Sequence, residues 1–403
     1  MEEIEMTGPL IFPVVTHTVQ SNARTGIQTV TRNLAAGLMK ELSVPPLAWH
    51  TRRGYLHGLK PDWERNLHVQ SIPQRLPCSP SHPRNWLVWM LSSGRHSHAP
   101  LHLHPAYRDR LKGSWLLLPE LMDGPAAHAV LRYARRHKMQ VAAIFHDAIP
   151  LLRPELTERT SAAHEDYMRA LAKFDLVLCV SESCASDYRS FLEQWKVSLP
   201  RLQVCPLPAE VPLQPRVLKA EQPTSETIKV LCVSTLEPRK NHRLLIQSFL
   251  EVAQKHPQAK LQLHLVGDRY PACPEVEDFV SASVRHHFNI KWHVNIAWEQ
   301  LRQLYRECSF TVYPSILEGF GLPIVESLWF ARPSLCASFG VMAENAAGGG
   351  CLTTDVRDKQ ALTEALEKLA LDHELRNRLS LQATQRLLTT WRDYVRTIIQ
   401  TLS

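Results

Sequence analysis

The chain has 403 residues, 44% hydrophobic and 21% charged, a balance that excludes a disordered chain and suits two globular domains better than one core. Its net charge of +7 is uneven: residues 1–220 carry 26 Lys and Arg against 19 Asp and Glu, whereas residues 221–403 carry 20 of each. The nine cysteines are scattered with no C-x-x-C pair, which excludes a zinc or disulfide frame and predicts free thiols in a reducing compartment.

The first segment, MEEIEMTGPLIFPVV, is acidic with a short apolar run, so no secretory leader is expected. Within it PLIFPVV predicts a strand. TGIQTVTRNLAAGLMKEL then repeats Ile27, Val30, Leu34 and Leu38 at helical spacing. Residues 51–138 hold 14 basic side chains against 5 acidic ones. Such a stretch suits an anionic membrane face or a phosphorylated acceptor, or is simply a solvated face. No nucleic-acid-binding motif accompanies it, so no nucleic-acid partner is expected.

Inside that stretch, HSHAPLHLH brings His96, His98, His102 and His104 together. Imidazoles at this density bind metals, but no carboxylate or cysteine is interleaved. A loop or plain surface is the expectation, and no metal is assigned. NWLVWML and SWLLLP fall far short of a bilayer span. The chain is therefore expected to be cytoplasmic, with at most a peripheral contact at the inner membrane face.

SWLLLP, QVAAIF and DLVLCV predict further strands, alternating with helical patterns near 125–138, 156–173 and 183–195. Short, almost wholly apolar strands alternating with helices imply a parallel sheet covered on both faces. Residues 207–227 lose this pattern and are rich in proline, which reads as a linker between a first domain, 1–206, and a second, 228–385. In the second, KVLCVS, LQLHLVG, SFTVYPS and PSLCAS predict strands, with helices from Asn241, near 275–287 and from Pro323. A last helix, 386–403, either continues the second domain or crosses back to the first. Two such halves would face each other across a cleft at their strand carboxyl ends, where ligands bind.

Two blocks carry chemistry. EGFGLPIVE, residues 318–326, follows a buried strand. Gly319 and Gly321 allow unusual backbone angles, and Pro323 suits a helix start. The loop offers N–H groups to an oxygen-rich ligand, and Glu318 and Glu326 each offer a carboxylate that accepts hydroxyl protons. VLCVSTLEPRKNHRLLIQSF places adjacent Arg239 and Lys240 between a strand and a helix, an anion site by charge and position. A capped loop with structural glutamates, and a solvated basic turn, are the plain alternatives.

Together these blocks resemble the retaining GT-B glycosyltransferases of family 4. The resemblance implies an α/β fold of two Rossmann-like domains with parallel sheets facing across a cleft. It implies a hexosyltransferase that uses a nucleotide diphosphate sugar and requires no metal. Glu318 matches the glutamate that contacts the transferred sugar, and Glu326 the one that holds the ribose hydroxyls. Gly319, Phe320, Gly321 and Leu322 match the loop whose amides meet sugar and phosphate, and Arg239 and Lys240 match the diphosphate clamp. Gly26, in the first helix's glycine loop, is expected near the donor phosphates. His146 of AAIFHDAIP is expected to reach the donor sugar, and Asp147 to orient its loop or meet an acceptor hydroxyl. Ser181 and Glu182 open a further loop. The nucleobase region, WHVNIAWEQL, departs from the family's usual glycine pattern, so Asn295 and Ile296 receive no firm role; nor do Glu344 and the run 348–350.

The expected acceptor is a hydroxyl of a saccharide, a lipid-linked saccharide or a small molecule. Two other readings stay open, a nucleotide-sugar epimerase of the same fold and a catalytically silent scaffold subunit of a glycosylation complex.

Overall fold

A computed structural model of the chain describes residues 9–20, 25–59, 67, 107, 110–157, 159–220 and 226–403. The chain forms two compact units. One comprises Met1–Leu151, Arg159–Leu207 and Thr390–Ser403, the other Leu152–Glu158 and Pro208–Thr389. His96, His98, His102 and His104, with much of the basic stretch, lie outside the described residues.

In the first unit, β1 (Ile11–Pro13), β4 (Trp115–Leu118), β5 (Gln140–Phe145), β6 (Leu176–Cys179) and β7 (Leu202–Val204) form one parallel sheet in that order. Every residue of β1, β4 and β6 is buried, which is why the sequence there is apolar without alternation. Helices α1 (Gly26–Leu42), α2 (Gly124–Arg136), α3 (Ser161–Leu171) and α4 (Glu182–Gln194) follow the strands. Between α1 and β4, β2 (Leu47–His50) and β3 (Tyr55–Gly58) pair antiparallel, a hairpin that the apolar-run reading does not predict.

The second unit has a six-stranded parallel sheet in the order β10-β9-β8-β11-β12-β13. The strands are β8 (Ile228–Val233), β9 (Leu261–Val266), β10 (Ile290–His293), β11 (Phe310–Tyr313), β12 (Ser334–Ala337) and β13 (Cys351–Thr354). Between them lie α5 (His242–Lys255), α6 (Pro274–His286), α7 (Trp298–Glu307), α8 (Leu322–Trp329) and α9 (Gly340–Ala346). After β13 come α10 (Lys359–Leu371) and α11 (His373–Gln385). The chain lays β9 and β10 on one side of β8, then returns to lay β11 on the other. A reversal of this kind opens a crevice at the carboxyl ends of β8 and β11.

Residues 208–220 are irregular and lie along the second unit. There the Val217 N–H donates to the Trp329 carbonyl at 3.0 Å, and the Trp329 indole to the Gln214 carbonyl at 2.8 Å. The last helix, α12 (Trp391–Leu402), belongs to the first unit, where Tyr394, Val395, Ile398 and Leu402 are buried. Gly37 of α1 makes room for it, since a Cβ there would lie 2.4 Å from Val395 Cγ2. Among the described residues no helix is long and apolar enough to cross a membrane, and the eight described cysteines are free thiols.

Candidate donor-binding site

The crevice of the second unit is built by the loops that leave β8 and β11. The Ile316 N–H donates to the Arg239 carbonyl at 2.9 Å and Ser315 Oγ to the same oxygen at 3.2 Å, so the loops are stitched together through backbone. On the other side of the β8 exit, Gly267, just past β9, lets those two strand ends approach, because a Cβ there would sit 1.9 Å from the Ser234 carbonyl oxygen. Arg239 and Lys240 close a short helical turn, Pro238–Lys240, directly before α5.

Glu318 is the centre of this arrangement. Arg239 pairs with its Oε2 at 2.6 Å, and Lys240 Nζ with its Oε1 at 2.5 Å. The Tyr313 hydroxyl and Ser315 Oγ donate to the same Oε1 at 2.8 and 2.5 Å. Burial alone would push the carboxyl up, but the Arg239 and Lys240 charges and these hydrogen bonds bring it down to about 2. Burial lowers Lys240, as does the neighbouring Arg239 charge, while Glu318 opposes both. Arg239 also ion-pairs with Glu237 at 2.7 Å and donates to the Leu317 carbonyl at 2.9 Å. The two cations the sequence marks are thus already matched by two carboxylates, and the cluster is close to neutral. Buried charges persist only when paired in this way.

Glu326 differs. It lies one turn inside α8, half-buried, and its Oε2 accepts the Tyr305 hydroxyl at 2.9 Å. Burial raises its carboxyl, which that single hydrogen bond only partly offsets. Gly321 caps α8 at φ +87°, a left-handed conformation that a side chain disfavours, and Pro323 occupies the second helical position. Gly319 and Phe320 are buried and Leu322 half-buried. Asn345 of α9 holds the loop by donating to the Phe320 carbonyl at 2.5 Å.

Gly26 and His146 stand in the first unit. Gly26 is the exposed first residue of α1. His146 follows β5, is 5% exposed, and its Nε2 donates to the Pro119 carbonyl at 2.8 Å. Burial pushes this imidazole down, so it is neutral, with Nδ1 as its accepting nitrogen. Thr31 of α1 reaches the same Pro119 carbonyl at 3.4 Å, which ties the first helix to the His146 loop. Asp147 turns its own backbone, accepting from the Ile149 N–H at 3.0 Å, and Ser181 caps α4. Glu120, which the sequence reading passed over, is a buried carboxylate accepting from the His17 and Thr18 N–H groups at 2.6 and 2.8 Å. Gly349 and Gly350 lead from α9 into β13 at φ of +89° and +82°, a packing role for the glycine run.

The sequence thus marks the charged residues of the crevice but misses Tyr313, Ser315, Glu237 and Tyr305. The missing signal was available in principle. A buried Arg-Lys pair requires nearby carboxylates, and Glu237 stands two residues before it.

Residues 215–386 match the family model described as Glycosyl transferases group 1. The serotype-specific mannosyltransferase WbdA of Escherichia coli is 27% identical over 219 residues, covering 50% of this chain and 26% of that protein. The Escherichia coli O-antigen chain mannosyltransferase B is 31% identical over 133 residues, 33% of this chain and 34% of its own. The chain therefore spans about a quarter to a third of the length of these curated relatives. Among solved structures, Anabaena HepE in complex with UDP and glucose aligns with a TM-score of 0.64 at 15% identity, over 97% of this chain and 98% of that one. Sucrose-phosphate synthase from Thermosynechococcus elongatus aligns with a TM-score of 0.64 at 16% identity, over 98% of each chain. Residues 215–386 are thus similar to the glycosyl transferases group 1 family, in a chain whose two α/β units have the GT-B fold.

Proposed function

We propose that this protein is a retaining glycosyltransferase that moves a hexosyl unit from a nucleotide diphosphate sugar to a hydroxyl of a saccharide or lipid-linked saccharide. The observation that carries the reading is the meeting of Arg239, Lys240 and Glu318 at the sheet's topological switch point. The names of the curated relatives, both mannosyltransferases, support a hexosyl donor and a growing polysaccharide as acceptor.

In this reading the leaving diphosphate takes up part of the charge that Glu318 now satisfies. Arg239 and Lys240 then stabilise the negative charge that grows as the glycosidic bond breaks. The released Glu318 carboxylate accepts sugar hydroxyls, with Tyr313 and Ser315 holding its Oε1. The same reading assigns His146 to the donor sugar and Gly26 to the donor phosphates. The leaving phosphate takes the acceptor's proton on the same face, so the anomeric configuration is kept and no covalent nucleophile is needed. Two side-chain cations supply the neutralising charge, and turnover is expected to survive chelation of divalent ions. The basic stretch of the first unit is the proposed site of peripheral contact with an anionic membrane face.

A thermal-shift screen with UDP and GDP tests the donor site, because a bound ligand raises apparent stability by mass action. Glu318→Gln, and Arg239→Ala with Lys240→Ala, are expected to lower transfer by two or more orders of magnitude, of the size seen when one stabilising donor is lost. Near-normal turnover in folded variants would remove these assignments. Conversion of a donor sugar without acceptor would identify an epimerase instead, and binding of neither nucleotide would favour a scaffold.

A further inference from the structure

We infer that Tyr305 is a positioning residue for the donor, fixing Glu326 so that one carboxylate oxygen is kept open for a pair of ligand hydroxyls. The inference rests on the donor-binding reading above and adds to it a residue outside the EGFGLPIVE block. Its basis is the contrast between the two glutamates. Glu318 has two cations and two hydroxyl donors, whereas Glu326 has one partner among the described residues, the Tyr305 hydroxyl on Oε2. Its Oε1 has none.

Tyr305 is held so that its hydroxyl stays there. The residue is 1% exposed, and its ring stacks on Phe330 with centroids 4.9 Å apart and planes 8° from parallel. Its carbonyl accepts from Arg332 Nε at 3.2 Å, which pins the end of α7. Burial raises the phenol well above its ordinary range, so it remains a donor at every working pH. A carboxylate held by one oxygen has a fixed plane, and the two lone pairs of the other point in two fixed directions within it.

The resemblance assigns ribose hydroxyls to Glu326, and its charge environment fits that assignment. No cation is paired with Glu326 among the described residues, so a phosphate brought to it would be repelled. A vicinal diol is suited, since each hydroxyl brings a proton and no charge, and a carboxylate oxygen accepts two at once. In a nucleotide donor that diol is the ribose 2′,3′ pair. Tyr305 would thus act on ribose selectivity through Glu326, without touching the ligand.

The experiment measures calorimetric affinities of wild type, Tyr305→Phe and Glu326→Gln for UDP and GDP and for their 2′,3′-dideoxy analogues. Tyr305→Phe keeps the ring and its stack on Phe330, so the fold is expected to persist, checked by its melting temperature. Wild type is expected to prefer the ribonucleotide by about tenfold or more, the worth of one hydrogen bond to a charged group. Tyr305→Phe is expected to lose most of that preference while binding the dideoxy form as wild type does. Both forms weakening equally would indicate a structural role and overturn the inference, as would an unchanged preference. A wild type that binds nucleotides without preferring ribose removes the inference and leaves the donor site standing. One that binds neither nucleotide removes both.

Discussion

Two glutamates eight residues apart titrate in opposite directions because their surroundings differ in charge rather than in depth alone. Glu318 lies between Arg239 and Lys240 and is held down at about 2, whereas Glu326 has only a neutral phenol and is raised by burial. For Glu318 the folded value lies below the unfolded one, near 4.5, so its ion pairs contribute stability that is complete above pH 4.5 and is lost as pH falls toward 2. That difference corresponds to a contribution on the order of 3 kcal/mol. The unfolding free energies of wild type and Glu318→Gln are therefore expected to differ by that order at neutral pH, and to converge as pH is lowered through this window in urea titrations. A gap independent of pH would mean that the ion pairs are not its source. Glu326 has the reverse sign. It takes up a proton above the ordinary glutamate range, so any affinity it gives to hydroxyls fades on acidification sooner than a solvated glutamate would predict.

At the scale of elements, the position of the β8 exit depends on how closely the end of β9 approaches it. Gly267 is where that approach is tightest, with a hypothetical Cβ 1.9 Å from the Ser234 carbonyl. Gly267→Ala would force the β8 exit to move, at a cost of about 1–3 kcal/mol typical of overpacking, and that exit carries Arg239 and Lys240. Nucleotide affinity is expected to fall more than the melting temperature suggests; normal affinity in a destabilised variant would show that the loops adjust independently. The sequence disclosed neither this contact nor Gly267 as more than a strand end. It did disclose β4, β5, β6, β8, β9, β11 and β12, because strands buried mostly on both faces are written as largely apolar runs. It concealed β10 and β13, the outermost strands of the second sheet, whose residues are partly exposed. Trp298–Glu307 was missed too, although Trp298, Leu301 and Tyr305 recur there at helical spacing. With that helix went Tyr305, the partner that separates Glu326 from Glu318. The charged triad of the site was legible because its members lie in two short blocks; its neutral hydrogen-bond donors were not, since a tyrosine in a strand or helix looks like core.

At the scale of the molecule, the two units are not two consecutive halves of the chain. The first is completed by residues 390–403, which follow the whole of the second. Helix α12 buries Tyr394, Val395, Ile398 and Leu402 in that unit, and Gln203 of β7 donates to Thr401 Oγ1 at 3.1 Å. Burying each of the three aliphatic side chains is worth about 1.5–3 kcal/mol, so with Tyr394 their sum approaches the 5–15 kcal/mol that holds a whole domain together. The second unit ends at Thr389 and loses none of its own strands with this helix. Ending the chain after Thr389 should therefore destabilise the first unit selectively. Hydrogen exchange is expected to accelerate in α1, whose Gly37 lies against Val395, and across β4 to β6, while β8 to β13 keep their protection. Nucleotide binding by the second unit should survive the truncation even as transfer to an acceptor is lost. Unchanged protection in α1 would show that the helix is dispensable. Loss of protection in both sheets together would show instead that the units fold as one cooperative body.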